Sequence, residues 1–400
     1  MKLILTKYQQ GIGLFEFEEN TLVKANIYDT AQKICVGDVF LGRIQKVLPN
    51  IKAYFVQIDN GKEDIFLPFS ECMETFKCGD KLPIQIKKEA SKGKQPLGTT
   101  KISLSGLYCV VNLEAPAFHI SSKLDEDIRK YWKDTLSSYT SSENECSGQK
   151  DILSKYCIII RTNVSGAENK EDVLDECIKL SKQMDDIVSS SAYLKPGTKL
   201  FGNASRYLSD IKDIPHTDLE EIVTDDAKIY NELQNFFSTI SNYAEKIRLY
   251  QDNFSLSKLY CIETKLQEAL QKKVWLKCGG FLVIEPTEAL TVIDVNSGKY
   301  EKKGDAEQYY KKVNEEAAIE IAKQLKLRNI SGIIIVDFIN MAVESNQKEL
   351  LELLAQLVSK DTVKTYVIGM TSLGLVEMTR AKAEKPLREQ INQNGIKTFN

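Results

Sequence analysis

Four hundred residues with 42% hydrophobic side chains describe an ordinary globular chain, too long for one hydrophobic core and expected to form about two to four domains. Lys+Arg 53 against Asp+Glu 56 leaves a net charge of −3, which argues against wrapping nucleic acid over the whole surface but leaves room for one local basic groove. Only two histidines occur, so chemistry built on a histidine pair or a His-rich metal site is not expected. No apolar run approaches the roughly 18 residues of a membrane span, and no membrane partner is expected. MKLILTKYQQ is too short in its apolar stretch for a signal peptide. Nine cysteines without a C-x-x-C pair read as reduced, mostly buried thiols, and the expected location is cytoplasmic.

In chain order, Lys2 to Leu5, Gly13 to Phe17 and LVKANIYD read as strands. DVFLGRIQKVL, KAYFVQID, EDIFLP, KLPIQIKK and TTKISLSG follow as short alternating runs separated by turn residues, the pattern of a small antiparallel barrel at about 37–110. LDEDIRKYWKDTLSSY reads as a polar helix leading into a low-complexity linker, TSSENECSGQKD. YCIIIRT is a buried strand, KEDVLDECIKLSKQMDDIV a helix, and residues 200–270 look mainly helical. From 271 onward strands alternate with helices: FLVIE, ALTVIDV, SGIIIVDF and TYVIGM as strands, GDAEQYYKKVNEEAAIEIAKQLKLRN and SNQKELLELLAQLVSK as helices, and LGLVEMTRAKAEKPLREQ as a closing helix. That order predicts an α/β layer with at least partly parallel strands.

Four groups of residues could carry chemistry. In EALTVIDVNSGKY the alternation of a strand puts Leu290, Val292, Asp294 and Asn296 on one face, so Asp294 continues an apolar row at the strand's end. A carboxylate there either caps a turn through backbone amides or meets a cation. Asp337 ends the apolar run Ile333 to Val336, of the kind buried in α/β sheets. It is either a cap or, with Asp294, one of two oxygen ligands suited to Mg²⁺ beyond the carboxyl ends of strands. Tyr54, Phe55 and Phe66, interspersed with Lys46, Lys62, Lys87, Lys88, Lys92, Lys94 and Lys101, form either a single-strand stacking platform or barrel core. Arg161 and Thr162, directly after a strand, form either an anion pocket or an ordinary surface ion pair.

The stretch EALTVIDVNSGKY…NEEAAIEIAKQLKLRNISGIIIVDFINM resembles the catalytic segment of the ribonuclease E/G family. GDVFLGRIQKVLPNIKAYFVQIDNGKEDIFLP and LGTTKISLSGLYCV resemble that family's S1-type RNA-binding domain, IIIRT its 5′-monophosphate sensor, and MTSLGLVEMTRAK its closing G-L-x-E-M-T-R helix. The resemblance implies an α/β multidomain chain. An RNase H-like domain would be split between 1–36 and 205–270. An S1-type OB-fold barrel at 37–110 and a 5′-sensor region at 111–204 would be inserted in it, and a DNase I-like catalytic domain at 271–400 would follow.

It further implies an endoribonuclease for single-stranded RNA, active in RNA processing or decay. Mg²⁺ would be held by Asp294 and Asp337, with Asn296 orienting Asp294, and a metal-activated water would leave 5′-phosphate and 3′-hydroxyl ends. Phe55, Phe66 and Lys101 would grip RNA, and Arg161 and Thr162 would bind a 5′-monophosphate. An RNA-binding relative with weak or lost cleavage is the alternative. Two departures from the family's pattern stand out. No cysteine follows Cys278, so no structural zinc is expected, and any oligomer would form otherwise than through the family's zinc link. HISSK, from His119 to Lys123, stands where the family has a glycine and an arginine pair.

Overall fold

Three strands open the chain, β1 (Lys2–Tyr8), β2 (Gly11–Glu18) and β3 (Thr21–Asp29), paired antiparallel in sequence order. The computed structural model describes residues 1–29, 34–58, 64–90, 94–141, 152–167, 169–190, 193–202, 205–214, 218–237, 241–298 and 306–393. The linker read at TSSENECSGQKD, Lys62, Lys92 and His216 lie wholly or largely outside them. The chain divides into two compact units, one of Met1–Thr30, Glu221–Glu232 and Ile247–Asn400, the other of Ala31–Glu220 and Leu233–Lys246.

The second unit begins with β4 (Val39–Leu48), β5 (Ala53–Gln57), β6 (Asp64–Pro68), β7 (Lys81–Lys88) and β8 (Leu97–Thr99). Pairing runs β4-β5-β6-β8-β7 and returns to β4, closing an OB-like barrel of five strands. Alternate residues point inward, and Ile44, Tyr54, Val56, Ile65, Leu67, Leu82, Ile84 and Ile86 fill the interior. Gly98 is required at this wall, because a Cβ there would come within 2.5 Å of Ile84 and 2.6 Å of Ile65. Next come β9 (Ser103–Ser105), β10 (Cys109–Asn112), β11 (Ala117–Ile120) and β12 (Cys157–Ile160), a sheet of order β11-β12-β10-β9. Helices α1 (Glu126–Ser141) and α2 (Lys170–Ser190) accompany it. β13 (Lys199–Phe201) adds to the barrel beside β4, and α3 (Arg206–Lys212) follows.

The chain then returns to its opening sheet. β14 (Glu221–Thr224) pairs parallel with β1, and β15 (Ile247–Leu249) parallel with β14, giving the order β15-β14-β1-β2-β3. Between and after them run α4 (Ala227–Phe236), α5 (Ser241–Ala244), α6 (Leu256–Leu259) and α7 (Ile262–Leu270). The helices α3 to α7 agree with a mainly helical 200–270, but the strands β14 and β15 lie among them. Ile222 and Val223 are fully buried, and in KIRLY the residues Ile247–Leu249 extend the sheet edge rather than a helix.

The last sheet comprises β16 (Lys273–Trp275), β17 (Phe281–Pro286), β18 (Leu290–Asn296), β19 (Gly332–Asp337), β20 (Thr365–Met370) and β21 (Leu375–Arg380), in the order β16-β17-β18-β19-β21-β20. Among the described residues only β18 and β19 pair parallel in this sheet; its other pairings are antiparallel. Helices α8 (Ala306–Leu327) and α9 (Glu344–Ser359) cover one face, and α10 (Leu387–Gln393) closes the described chain. The helices bury rows at helical spacing, Val313, Ala317, Ile321 and Leu325 on one and Leu350, Leu354 and Val358 on the other. They pack on Leu282, Ile284, Ile293, Val295, Ile334, Val336, Val376 and Met378, each such side chain contributing about 1.5–3 kcal/mol.

Two expectations fail here. The run Ile333 to Val336 is not buried throughout: Ile334 and Val336 meet the helices, while Ile333 is exposed and Ile335 half-buried, because helices cover a single face. The row of Val292 and Asp294 lies on that open face too. LGLVEMTRAKAEKPLREQ is a strand followed by a short helix, not one closing helix. Val376, Met378 and Arg380 point inward and alternate with outward residues, a period of two.

Arg380 is a buried cation in this strand, 3% exposed at its side chain. Its Nε donates to Asp361 Oδ2 at 2.8 Å, and Nη1 to Asn329 Oδ1 at 2.8 Å and the Ile330 carbonyl at 3.0 Å. Arg380→Ala leaves these acceptors uncompensated, and urea denaturation is expected to register a loss of about 3 kcal/mol or more. A loss within ~1 kcal/mol, the value of an exposed pair, would contradict this.

Candidate active site

The parallel pairing of β18 with β19 is in register at its end: Asp294 stands directly beside Asp337. Adjacent strands lie about 4.8 Å apart, and laterally paired residues share a face. Both aspartates are exposed on the face the helices leave open. Two neighbouring carboxylates repel when ionised, and a cation between them removes that penalty. Asn296, two residues along the same face, donates from Nδ2 to Asp294 Oδ2 at 2.7 Å and fixes the orientation of that carboxylate. Sequence alone left Asp294 as either a turn cap or a ligand; the structure gives its oxygen a side-chain donor and a carboxylate neighbour.

Ser297, just past β18, and the segment Ile339–Val343, past β19, are held by polar side chains of α8. Tyr309 Oη donates to the Ser297 carbonyl at 2.7 Å. Asn314, fully buried, donates to the Ile339 carbonyl at 2.8 Å and accepts from the Ile339 amide at 3.0 Å. Glu307 accepts from the amides of Ala342 and Val343 at 2.9 and 3.1 Å and from Asn346 Nδ2 at 3.0 Å; these donors hold its carboxyl below the usual range. Glu316 accepts from the amides of Lys277 and Cys278. Glu307 and Asn314 are seven residues apart, as are Tyr309 and Glu316, so each pair forms a stripe two turns long. Gly298 closes the turn after Asn296 with φ +70, where a Cβ would lie 2.3 Å from the Gly279 carbonyl oxygen. Sequence reading treated this helix as scaffold and missed all four residues. The one available signal was Asn314, a polar side chain beside Val313 and in the row of Ala317 and Ile321.

Among the described residues no group of three or more His, Cys, Asp and Glu side chains is arranged to hold a metal. Two carboxylates suit an oxygen-seeking divalent ion that keeps most of its water, such as Mg²⁺.

On the barrel, Phe55 and Phe66 face each other across β5 and β6, with ring centroids 5.9 Å apart at 64°. Both are half-buried on the outer wall, whereas Tyr54 is core. Lys46 is the cross-strand neighbour of Phe55 and is exposed. Lys101, also exposed, donates to the Ser70 carbonyl at 3.1 Å. Arg161 donates to the Gly106 carbonyl at 2.7 Å and pairs with Asp213 at 2.6 Å, so an incoming anion would compete with Asp213 for the guanidinium. Thr162 opens the 3-10 turn Thr162–Gly166 beside it. Lys212, missed from sequence, donates to the Ser105 carbonyl at 2.6 Å, and its burial lowers its pKa. Among the described residues no helix is long and apolar enough to cross a membrane, and no cysteine is disulfide-bonded.

Comparison with known proteins adds an independent line. The profile of the Ribonuclease E/G family matches residues 103–383. Ribonuclease G of Salmonella typhimurium is 30% identical over 390 residues, covering 91% of this chain and 76% of that protein. Ribonuclease G of Escherichia coli K12 is 30% identical over 392 residues, covering 92% and 76%. A ribonuclease E/G-like protein of Pyropia yezoensis is 31% identical over 380 residues, covering 90% and 72%.

Asn314→Ala removes both partners of the Ile339 peptide and is expected to destabilise the chain by about 1–3 kcal/mol in urea melts. Catalytic turnover is expected to fall further than the folded fraction does, because the loop beyond Asp337 loses its anchor. Turnover that tracks the folded fraction would leave Asn314 a packing residue only.

Proposed function

This chain belongs to the ribonuclease E/G family, and we propose that it cuts single-stranded RNA with Mg²⁺ held between Asp294 and Asp337. It is an endoribonuclease of RNA processing, as its ribonuclease G relatives support. The observation that carries the finer reading is the in-register pairing of the two aspartates on the open face of the sheet. Asp294 and Asp337 hold the ion, and Asn296 keeps one Asp294 oxygen engaged so that the carboxylate does not rotate away. Bound there, Mg²⁺ supplies a more acidic water and neutralises charge on the phosphodiester. The products are a 5′-phosphate and a 3′-hydroxyl. Tyr309, Asn314 and Glu307 keep the surrounding loops from relaxing away from the aspartates.

The barrel supplies affinity. Phe55 and Phe66 offer ring faces to unpaired bases while Lys46 and Lys101 attract phosphates, as on other single-strand platforms. Arg161 with Thr162 binds a 5′-monophosphate by displacing Asp213. The domain scheme of the family is compatible with the sheets: the order β15-β14-β1-β2-β3, antiparallel in its first three strands and parallel beyond, supports an RNase H-like domain assembled from both sides of the barrel. The last sheet with α8 and α9 is the proposed DNase I-like domain.

Incubating an A/U-rich oligoribonucleotide with Mg²⁺ is expected to give internal cuts that chelator abolishes. Asp294→Asn is expected to reduce the rate by about a thousandfold, in line with several kcal/mol of lost charge stabilisation. Cutting that survives both treatments would refute the metal site, and absence of cutting in the wild type would leave an RNA-binding protein. Phe55→Ala is expected to weaken RNA binding by about 1–3 kcal/mol. Unchanged affinity in the folded fraction would make the ring a structural one.

A further inference from the structure

The open face of the last sheet carries an aromatic patch at its edge that the proposed mechanism does not use. β16 is the edge strand, and Lys273 and Trp275, two residues apart, share a face. Trp275 is 65% exposed, an unusual placement for the largest apolar side chain. It is not loose. Phe281 stands opposite it in register, with ring centroids 5.3 Å apart at 61°. The Lys273 ammonium lies 3.9 Å from the Trp275 centroid and 3.7 Å from that of Phe281, a cation–π clasp that holds both rings.

Register ties this patch to the aspartates. Lys273 pairs with Val283, Val283 with Asp294 and Asp294 with Asp337, while Trp275 pairs with Phe281 and Phe281 with Asn296. All these residues therefore point to the same side of one sheet. Phe281 lies one strand from Asn296, about 5 Å across, and Trp275 two strands, about 10 Å. Edge protection alone explains a lysine on β16 but not an exposed indole beside it. Two fixed rings and a cation beside a site for phosphate chemistry have the composition of a single-strand stacking site.

Resting on the proposed RNA cleavage, we infer that Trp275 and Phe281 form a base-stacking subsite. It takes an unpaired nucleobase of the strand whose phosphate reaches Asp294 and Asp337. Lys273 orders the rings and presents its charge to the backbone next to that base. The subsite is sequence-tolerant, because every base has a ring face to offer. It gives the cleavage unit a hold on RNA separate from that of the barrel, within the same sheet as the aspartates.

The two tryptophans of the chain make the test direct. Trp132 is 4% exposed and Trp275 is not, so long-wavelength emission reports on Trp275. An A/U oligoribonucleotide is titrated in chelator, where no cleavage is needed, with fluorescence anisotropy of a labelled strand followed in parallel. The wild type is expected to lose its long-wavelength emission with the midpoint seen by anisotropy. Trp275→Ala is expected to bind roughly 10- to 100-fold more weakly and to raise KM more than it lowers kcat, whereas Trp275→Phe retains most of the affinity. Emission that stays constant while anisotropy saturates, or a Trp275→Ala chain that binds like the wild type, would overturn the subsite. A change of mass in solution on Trp275→Ala with unchanged RNA affinity would overturn it too, by assigning the patch to a second copy of the chain. Failure of RNA cleavage itself is read separately, by the Mg²⁺ assay on the wild type.

Discussion

Two like charges held side by side on the open face of a sheet are the constraint around which the catalytic unit is organised. The parallel register of β18 and β19 puts Asp294 against Asp337, and among the described residues no other strand pair in that sheet is parallel. Carboxylates placed side by side repel when both are ionised. The surrounding structure opposes that repulsion mechanically. The far sides of both strands are locked by Ile293, Val295, Ile334 and Val336 against α8 and α9. In the proposed function a divalent cation held by both carboxylates is the complement that relieves this repulsion.

Helix α8 serves two purposes with two sets of residues. Its apolar row builds the core, and its polar side chains hold Ser297 beyond Asn296, the segment Ile339–Val343 beyond Asp337 and the turn at Lys277 and Cys278. Loops carry function best when a rigid element fixes them. The face covered by the helices carries the stability, and the open face is the one on which the proposed function places RNA. Arg380 adds to this division from β21, its charge buried against Asp361 on the packed side.

Much of this was legible in sequence. Alternating runs in 37–110 declare a barrel, and D-x-N followed by a second aspartate at the end of an apolar run marks the candidate site, because a period of two determines which residues share a face. Three features were not legible. Which face of the last sheet would lie open depends on where the helices pack, so the apolar run Ile333 to Val336 looked buried although half of it is not. The strand at Leu375–Arg380 carries its alternation in a mixture of charged and apolar residues that also suits a helix, and pairing with β19 and β20 decides between them. The hydrogen bonds of Glu307, Tyr309 and Asn314 link residues 12 to 39 positions apart, which no local pattern encodes.

The most direct test of the account is a Mn²⁺ titration followed by electron paramagnetic resonance on the full chain. One Mn²⁺ per chain, displaceable by Mg²⁺ and weakened at least about tenfold by either Asp294→Asn or Asp337→Asn, is the predicted result. Binding that neither substitution changes would contradict a site shared by the two strands.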